Sequence, residues 1–362
     1  MVLTVVSDVV TLKERGKYQG IMGSMVLLGR SLGPTIGGIF TEKATWRWCF
    51  WINVPMSAAA MTVIVLLLPL KRVRGGMIGK LKTVDWFGSM LTLAWVILFL
   101  LGMSWAGNQF PWLSAAVLAP IFIGLALLGL FIVVEWKLVR LPLIPLRIFR
   151  STHVAAGFMT SFFSGVMSFA TLYYLPTYFQ VVRGDSPIRS GLLLLPLVVI
   201  QVISSFGAGL LVSKFADYYW NLVVGFAMWS IGLGLLSTVD ASTSIAKLVG
   251  YQLFNGVGAG QTFQTSLVAI QAGVERKEMA TATGLRNFLR QLGGTLAVTI
   301  CSTIVNNIVR NRIADLDLTA AQADAVLTDP TQVHTLSLSV DQQLVIKEAY
   351  GESYMSQSIV ND

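Results

Sequence analysis

Apolar residues in this chain come in long uninterrupted runs rather than in one-sided stripes. Nine runs are long enough to cross a bilayer, which takes about 20 residues of helix. They lie at roughly 18–40, 48–70, 86–106, 113–135, 153–178, 190–212, 219–238, 246–271 and 281–308. A helix lying on a soluble core carries a polar face, and most of these runs have none. The segments between them are mostly short, so neighbours in sequence are expected to pack as antiparallel neighbours in space. The pattern predicts an all-α, polytopic membrane protein, a helical bundle of about nine transmembrane helices.

Two basic segments divide the runs into groups. Lys71–Lys82 is basic and contains glycine, and Asp85 is placed to cap the helix that follows. Arg140–Arg150 holds Pro142, Pro145 and three arginines. The spans between these segments, 86–106 and 113–135, carry no central polar group and read as lipid-facing spacers. After Val309 the character changes, with Asp315, Asp317, Asp324, Asp329, Asp341 and Glu348 and no further spanning run. Thr319–Gln322 and Ser339–Gln342 both fit the capping box, so two short helices are expected there, the first stopping at Pro330. Met1–Val10 is apolar but too short to span and reads as the tail of a span whose beginning is absent.

Composition supports the membrane reading. Apolar residues make up 54% of the 362 and charged residues only 12%, against about 25% charged in a soluble domain. The net charge of +8 lies in Lys and Arg clusters between apolar runs. That is a topology signal before it is a nucleic-acid signal, and no nucleic-acid partner is expected. With the first span entering from the cytoplasm, the inside set includes Lys13, Arg15, Lys17, the cations of 71–82 and 137–150, Lys214, Arg276 and Lys277. It is nearly twice the outside set, so this orientation is adopted. Cys49 and Cys301 are far apart and only His153 and His334 are available beside them. Neither a disulfide framework nor a metal site is expected, and no cofactor motif is present.

Polar groups inside the runs are the candidates for function, because they are costly at membrane depth. Arg30 lies about twelve residues into its span, too deep for easy snorkelling. It sits within Gly29-Arg30-Ser31-Leu32-Gly33-Pro34-Thr35-Ile36-Gly37-Gly38. Gly29, Gly33 and Gly37 share one narrow helix face that another backbone can approach, and Pro34 frees the Arg30 carbonyl and is expected to bend the helix. The eighth span carries Gln252, Asn255, Gln261, Gln264 and Gln271 among several glycines. These amides either line a polar cavity or hold helices together, and the sequence weighs the two equally. Arg286 and Arg290 share a face at the cytoplasmic end of the ninth span, where positive-inside anchoring is the simpler reading. Asn53 and Gln201 are candidates of lower weight, and Trp46, Trp48 and Trp51 fit an interfacial aromatic belt. No carboxylate lies near the middle of a span, so no proton-coupling acid is visible.

Gly29-x-x-x-Gly33-Pro34-x-x-Gly37-Gly38 resembles the antiporter motif of the fifth helix in the major facilitator superfamily. Glu14–Gly20 before it and Trp46–Pro55 after it strengthen the likeness to the fourteen-helix drug:proton antiporter branch, in its fungal form. Pro142–Pro145, Tyr174–Gln180, Ser190–Pro196 and Phe288–Gly294 continue it, so the resemblance covers about residues 5–310. Cytoplasmic Lys214–Asp217 sits where an echo of a second family motif is expected, but Ala216 departs from the usual Gly. The resemblance implies that the nine spans are the family's fifth to thirteenth and that the chain is truncated at both ends. Residues 1–70 then end an N-terminal helical half with two complete spans, and 71–150 form a linker with two extra spans. Residues 151–308 form a C-terminal half of five spans, and 309–362 a polar extramembrane tail.

The function implied is secondary active transport rather than enzymatic chemistry. The expected activity is proton-coupled efflux of a hydrophobic or amphipathic small molecule, such as a secondary metabolite, toxin or drug. The expected partners are that substrate, the proton and the lipid bilayer, with the plasma membrane favoured over the vacuole. Two alternatives stand beside it: a non-transporting remnant or incomplete chain, and an importer of basic amino acids or iron chelates on the same fold.

Overall fold

The computed structural model describes residues 12–67, 85–107, 109–138, 142–215, 217–240, 242–314, 316, 318–328, 330–334, 336 and 338–360. The expected features at Met1–Val10, Lys71–Lys82 and Ala216 lie outside them. Among the described residues the regular structure is helical apart from one isolated bridge, Ala106 to Phe110. Nine helices follow the nine predicted runs in order: α1 Leu12–Lys43, α2 Asn53–Leu67, α3 Trp86–Trp105, α4 Ala115–Lys137, α5 Thr152–Val181, α6 Pro187–Phe215, α7 Tyr219–Leu236, α8 Ile245–Ala272 and α9 Met279–Ile313. A helical turn at Trp48–Trp51 leads into α2. Seven of the nine are long and apolar enough to cross a membrane. The other two, α1 and α8, are longer than a bilayer needs but carry more polar residues.

Local signals act as the sequence foretells. The Asp85 carboxylate caps α3 by accepting the Gly88 N–H at 2.8 Å. In the tail, α10 (Ala320–Thr328) and α11 (Val340–Val360) both start in capping boxes. Gln322 and Gln342 Oε1 accept the N–H of Thr319 and Ser339 at 3.0 and 2.9 Å, and the hydroxyls return the bond. The helix α11 runs 21 residues and is not short. Helix α1 continues past Pro34 without interruption. Between α7 and α8, the Ser242 and Thr243 hydroxyls hold the Asp240 carboxyl below the usual carboxylate range.

Packing corrects one expectation outright. Only α3–α4 and α7–α8 pack along their length as sequence neighbours, while the other major contacts are α1 on α6, α6 on α8 and α5 on α9. Loop length does not choose the partner here; close approach at small residues does. A Cβ on Gly165 of α5 would overlap the Arg290 carbonyl of α9, and one on Gly293 of α9 would overlap the Phe162 carbonyl of α5. Gly256 and Gly260 of α8 meet α6 backbone in the same way. Gly20 of α1 lies against Gly209 of α6, where a Cβ would stand 3.2 Å from that Cα. This contact uses Gly20 and Ser24, not the predicted groove, while Gly23 faces Gln264 of α8. At Gly29 and Gly33 a Cβ would meet nothing within 4 Å among the described residues, and at Gly37 only the Cys49 Sγ at 3.9 Å.

The spacer spans are also less isolated than expected. Their outer faces are exposed and apolar, but Trp95 of α3 is buried and meets Phe288 of α9 edge to face at 6.1 Å. Helix α2 is exposed on all sides, as a lipid-facing segment is. The tail packs back on the bundle: Val326, Val333, Ile346 and Tyr350 join Phe179, Val305 and Val309 in one apolar core at the ends of α5 and α9.

Candidate functional site

The most polar buried region lies where α8 is enclosed by α1, α6, α7 and α9. Gln252, Asn255, Gln264 and Gln271 are buried and Gln261 is half-buried. The amides do not share one face. Asn255 turns to α7, where a Cβ on Gly232 would overlap its backbone nitrogen. Gln261 lies by Gly225 of α7 and borders a cleft of about 500 Å³ with Asp217, Trp220 and Asn221. Gln264 points to α1, its Nε2 2.6 Å from where a Gly23 Cβ would stand. Successive helical residues turn by about 100°, so the spacing of 252, 255, 261, 264 and 271 spreads these amides around α8, and the structure adds which neighbouring helix each one meets.

Some of these groups are interhelical glue. Gln271 Nε2 donates to Thr283 Oγ1 of α9 at 3.1 Å, and Asn221 Nδ2 of α7 to Thr265 Oγ1 of α8 at 2.9 Å. Others keep a buried polar atom without a partner among the described residues: Gln252, Gln261 and Gln264 each an Oε1, and Asn255 its Nδ2. Leaving such an atom dry costs about 1–3 kcal/mol.

Beside Gln264 lies the second feature. Arg286 and Arg290 are not interfacial anchors, because their relative exposures are 1% and 5%. Arg286 donates to the Phe263 carbonyl, to Ser266 Oγ at 3.1 Å and to Asn287 Oδ1 at 3.1 Å. Its guanidinium lies 5.4 Å from the Phe263 ring centre, and that of Arg290 lies 4.2 Å from it. The physical reason is the long basic stem, which lets α9 lay both cations on α8 instead of on the membrane surface. A cation over an aromatic face contributes about 2 kcal/mol when desolvated. Phe263 was invisible as a functional residue in the sequence, where it is one apolar position among many. Its only signal was its place between two amides.

Gln201 and Asn53 do not join this cluster. Gln201 is half-buried at the α6–α8 crossing, where Gly260 lies against its carbonyl. Asn53 is exposed, and its side chain donates to the Cys49 carbonyl one turn back at 3.0 Å. Of Arg30, Pro34 and Gly38 only the helical backbone in α1 is described. Among the described residues no group of His, Cys, Asp and Glu is arranged to hold a metal.

Long apolar helices, packed at glycine contacts around a buried polar helix, define a multi-pass integral membrane protein of the helical-bundle class. Residues 1–298 match the Major Facilitator Superfamily, and the chain belongs to that family. It is 33% identical over 339 residues to the efflux pump dotC of Dothistroma septosporum, covering 94% of this chain and 58% of that protein. It is 36% identical over 304 residues to the acurin A biosynthesis cluster MFS-type transporter of Aspergillus aculeatus, covering 83% and 54%. To citrate exporter 1 of Yarrowia lipolytica it is 32% identical over 350 residues, covering 97% and 52%. The chain thus spans just over half the length of these relatives.

Proposed function

We propose that this chain acts in proton-coupled efflux of an amphipathic small molecule across the plasma membrane. The observation that carries the reading is the ring of buried amides on α8 beside Arg286, Arg290 and Phe263, in a chain of this family. Substrate would bind near the membrane midplane where helical halves meet, and the halves would rock about it. In this reading α1 and α2 belong to the N-terminal half, α3 and α4 are the extra pair, and α5–α9 form the C-terminal half. The α1–α6 contact, where Gly20 approaches the backbone of Gly209, would join the two halves. The unpartnered amide atoms of α8 would bond the polar part of the cargo, and the apolar helix faces would take the rest. The names of the relatives, efflux pump and exporter, support outward transport over import of basic amino acids or iron chelates. Of these names only citrate exporter 1 states a cargo, so the cargo's identity does not transfer by likeness.

The test is direct. The chain is expressed in a fungal host with its own exporters deleted, cells are loaded with a panel of metabolites and xenobiotics, and retained compound is measured with and without an imposed pH gradient. At least one compound is expected to be retained less in expressing cells, more so with an inward proton gradient. Equal retention of every compound, with the protein present in the membrane, sinks the reading.

A further inference from the structure

At the bundle end that the positive-inside rule assigns to the cytoplasm, two cavities adjoin. The first, of about 780 Å³, is lined by Pro145, Arg147, Arg150, Lys277 and Glu278 among others. The second, of about 630 Å³, is an apolar groove between α3 and α9 lined by Leu93, Ile144, Leu285 and Phe288. Thr281 of α9 borders both, so they run into one another. Both fall in the usual range of small-molecule sites, roughly 300–1,000 Å³.

Charge is sorted along this path. Arg147, Arg150 and Lys277 stand at the polar end. Arg147 is held in place by Glu278 while its side chain stays 60% exposed, and Lys277 by Glu275 at 2.7 Å with 62% exposure. The carboxylate of Glu135 at the same mouth is turned inward. Its Oε2 accepts the Ile144 N–H at 3.2 Å, and it is only 4% exposed. A mouth whose exposed charged lining residues are Arg147, Arg150 and Lys277, opening toward an apolar groove, has the polarity of a phospholipid.

We propose that this mouth binds one anionic glycerophospholipid of the cytoplasmic leaflet. Its phosphate headgroup lies against Arg147, Arg150 and Lys277, and an acyl chain occupies the groove past Thr281 toward Phe288. Bound there, the lipid bridges the α3–α4 pair to α9, which otherwise meet through few side chains such as Trp95 and Phe288. Each surface cation near an anionic headgroup contributes about fivefold in affinity.

The experiment uses the purified full chain in mild detergent, with phosphatidylserine and phosphatidylcholine of identical acyl chains, and counts bound lipid by native mass spectrometry. Phosphatidylserine is expected to bind at least tenfold better. The exposed double reversal Arg150→Glu/Lys277→Glu should weaken it on the order of 25-fold or more. Gly284 lines the groove, and a Cβ there would meet nothing within 4 Å. Gly284→Leu should therefore fold and yet exclude the acyl chain, lowering binding with every cation intact. Soluble glycerophosphoserine should not compete at concentrations where the lipid saturates. Equal binding of the two lipids, wild-type binding by both variants, or full competition by the soluble headgroup would each overturn the proposal.

Discussion

At the residue scale, the outcome that matters most is the burial of Arg286. A guanidinium this far from water is held by directed bonds, to the Phe263 carbonyl and Ser266, and by the Phe263 ring. Lysine keeps the charge but lacks the planar fork that reaches two acceptors at once. Arg286→Lys is therefore expected to lower stability by about 2–4 kcal/mol, read as reduced resistance to unfolding in detergent. Arg286→Lys at wild-type stability would show that these bonds contribute little. The sequence put Arg286 and Arg290 on one helix face, and that is correct. It could not say which way the face points, because a long basic side chain near a span end reaches either the headgroups or a neighbouring helix. Burial chose the neighbour, since α8 offers a carbonyl, a hydroxyl and a ring at the right height.

At the element scale, glycine position rather than glycine count governs helix pairing. The run Gly29–Gly33–Gly37 has the spacing of a close-packing face, but its first two members are open among the described residues. Gly165, in register with Ser161 and Gly157, is where α5 touches the backbone of α9. Gly165→Ala is expected to cost about 1–3 kcal/mol, the range for overpacking a tight contact. Gly29→Ala and Gly33→Ala should be neutral or slightly stabilising to this chain, since alanine favours helix. Thermal unfolding of the three variants side by side checks this, and a large loss at Gly29 with none at Gly165 would reverse the assignment. Capping was far more legible than pairing. Asp85, Thr319 and Ser339 were readable because a cap involves residues three apart, whereas a helix contact involves residues that may lie over a hundred apart.

At the scale of the whole molecule, the tail is part of the bundle. Tyr350 is fully buried and donates to the Val326 carbonyl at 2.8 Å, and Arg312 of α9 pairs with Glu352 of α11 at 2.7 Å. Acidic composition made residues 309–362 look like a solvated extension, because the apolar positions there are short and scattered. Folded into α10 and α11, they gather on one side and cover Val305, Val309 and Ile313. Removing residues 319–362 is expected to expose that surface, with aggregation on gel filtration and a lower unfolding temperature in detergent. A truncated chain that stays monodisperse and equally stable would mean that the tail adds nothing to the bundle.

The sequence by itself determined that the protein is helical, that it crosses a membrane many times, roughly where the helices lie, and to which family it belongs. These follow from local quantities: apolar run length, charge between runs, caps three residues apart and contiguous motifs. Tertiary structure alone decided which helices pair, which neighbour each α8 amide meets, and that Arg286 and Arg290 lie inside. Those outcomes depend on close contact between segments far apart in the chain, and one sequence carries no record of which small residue meets which backbone.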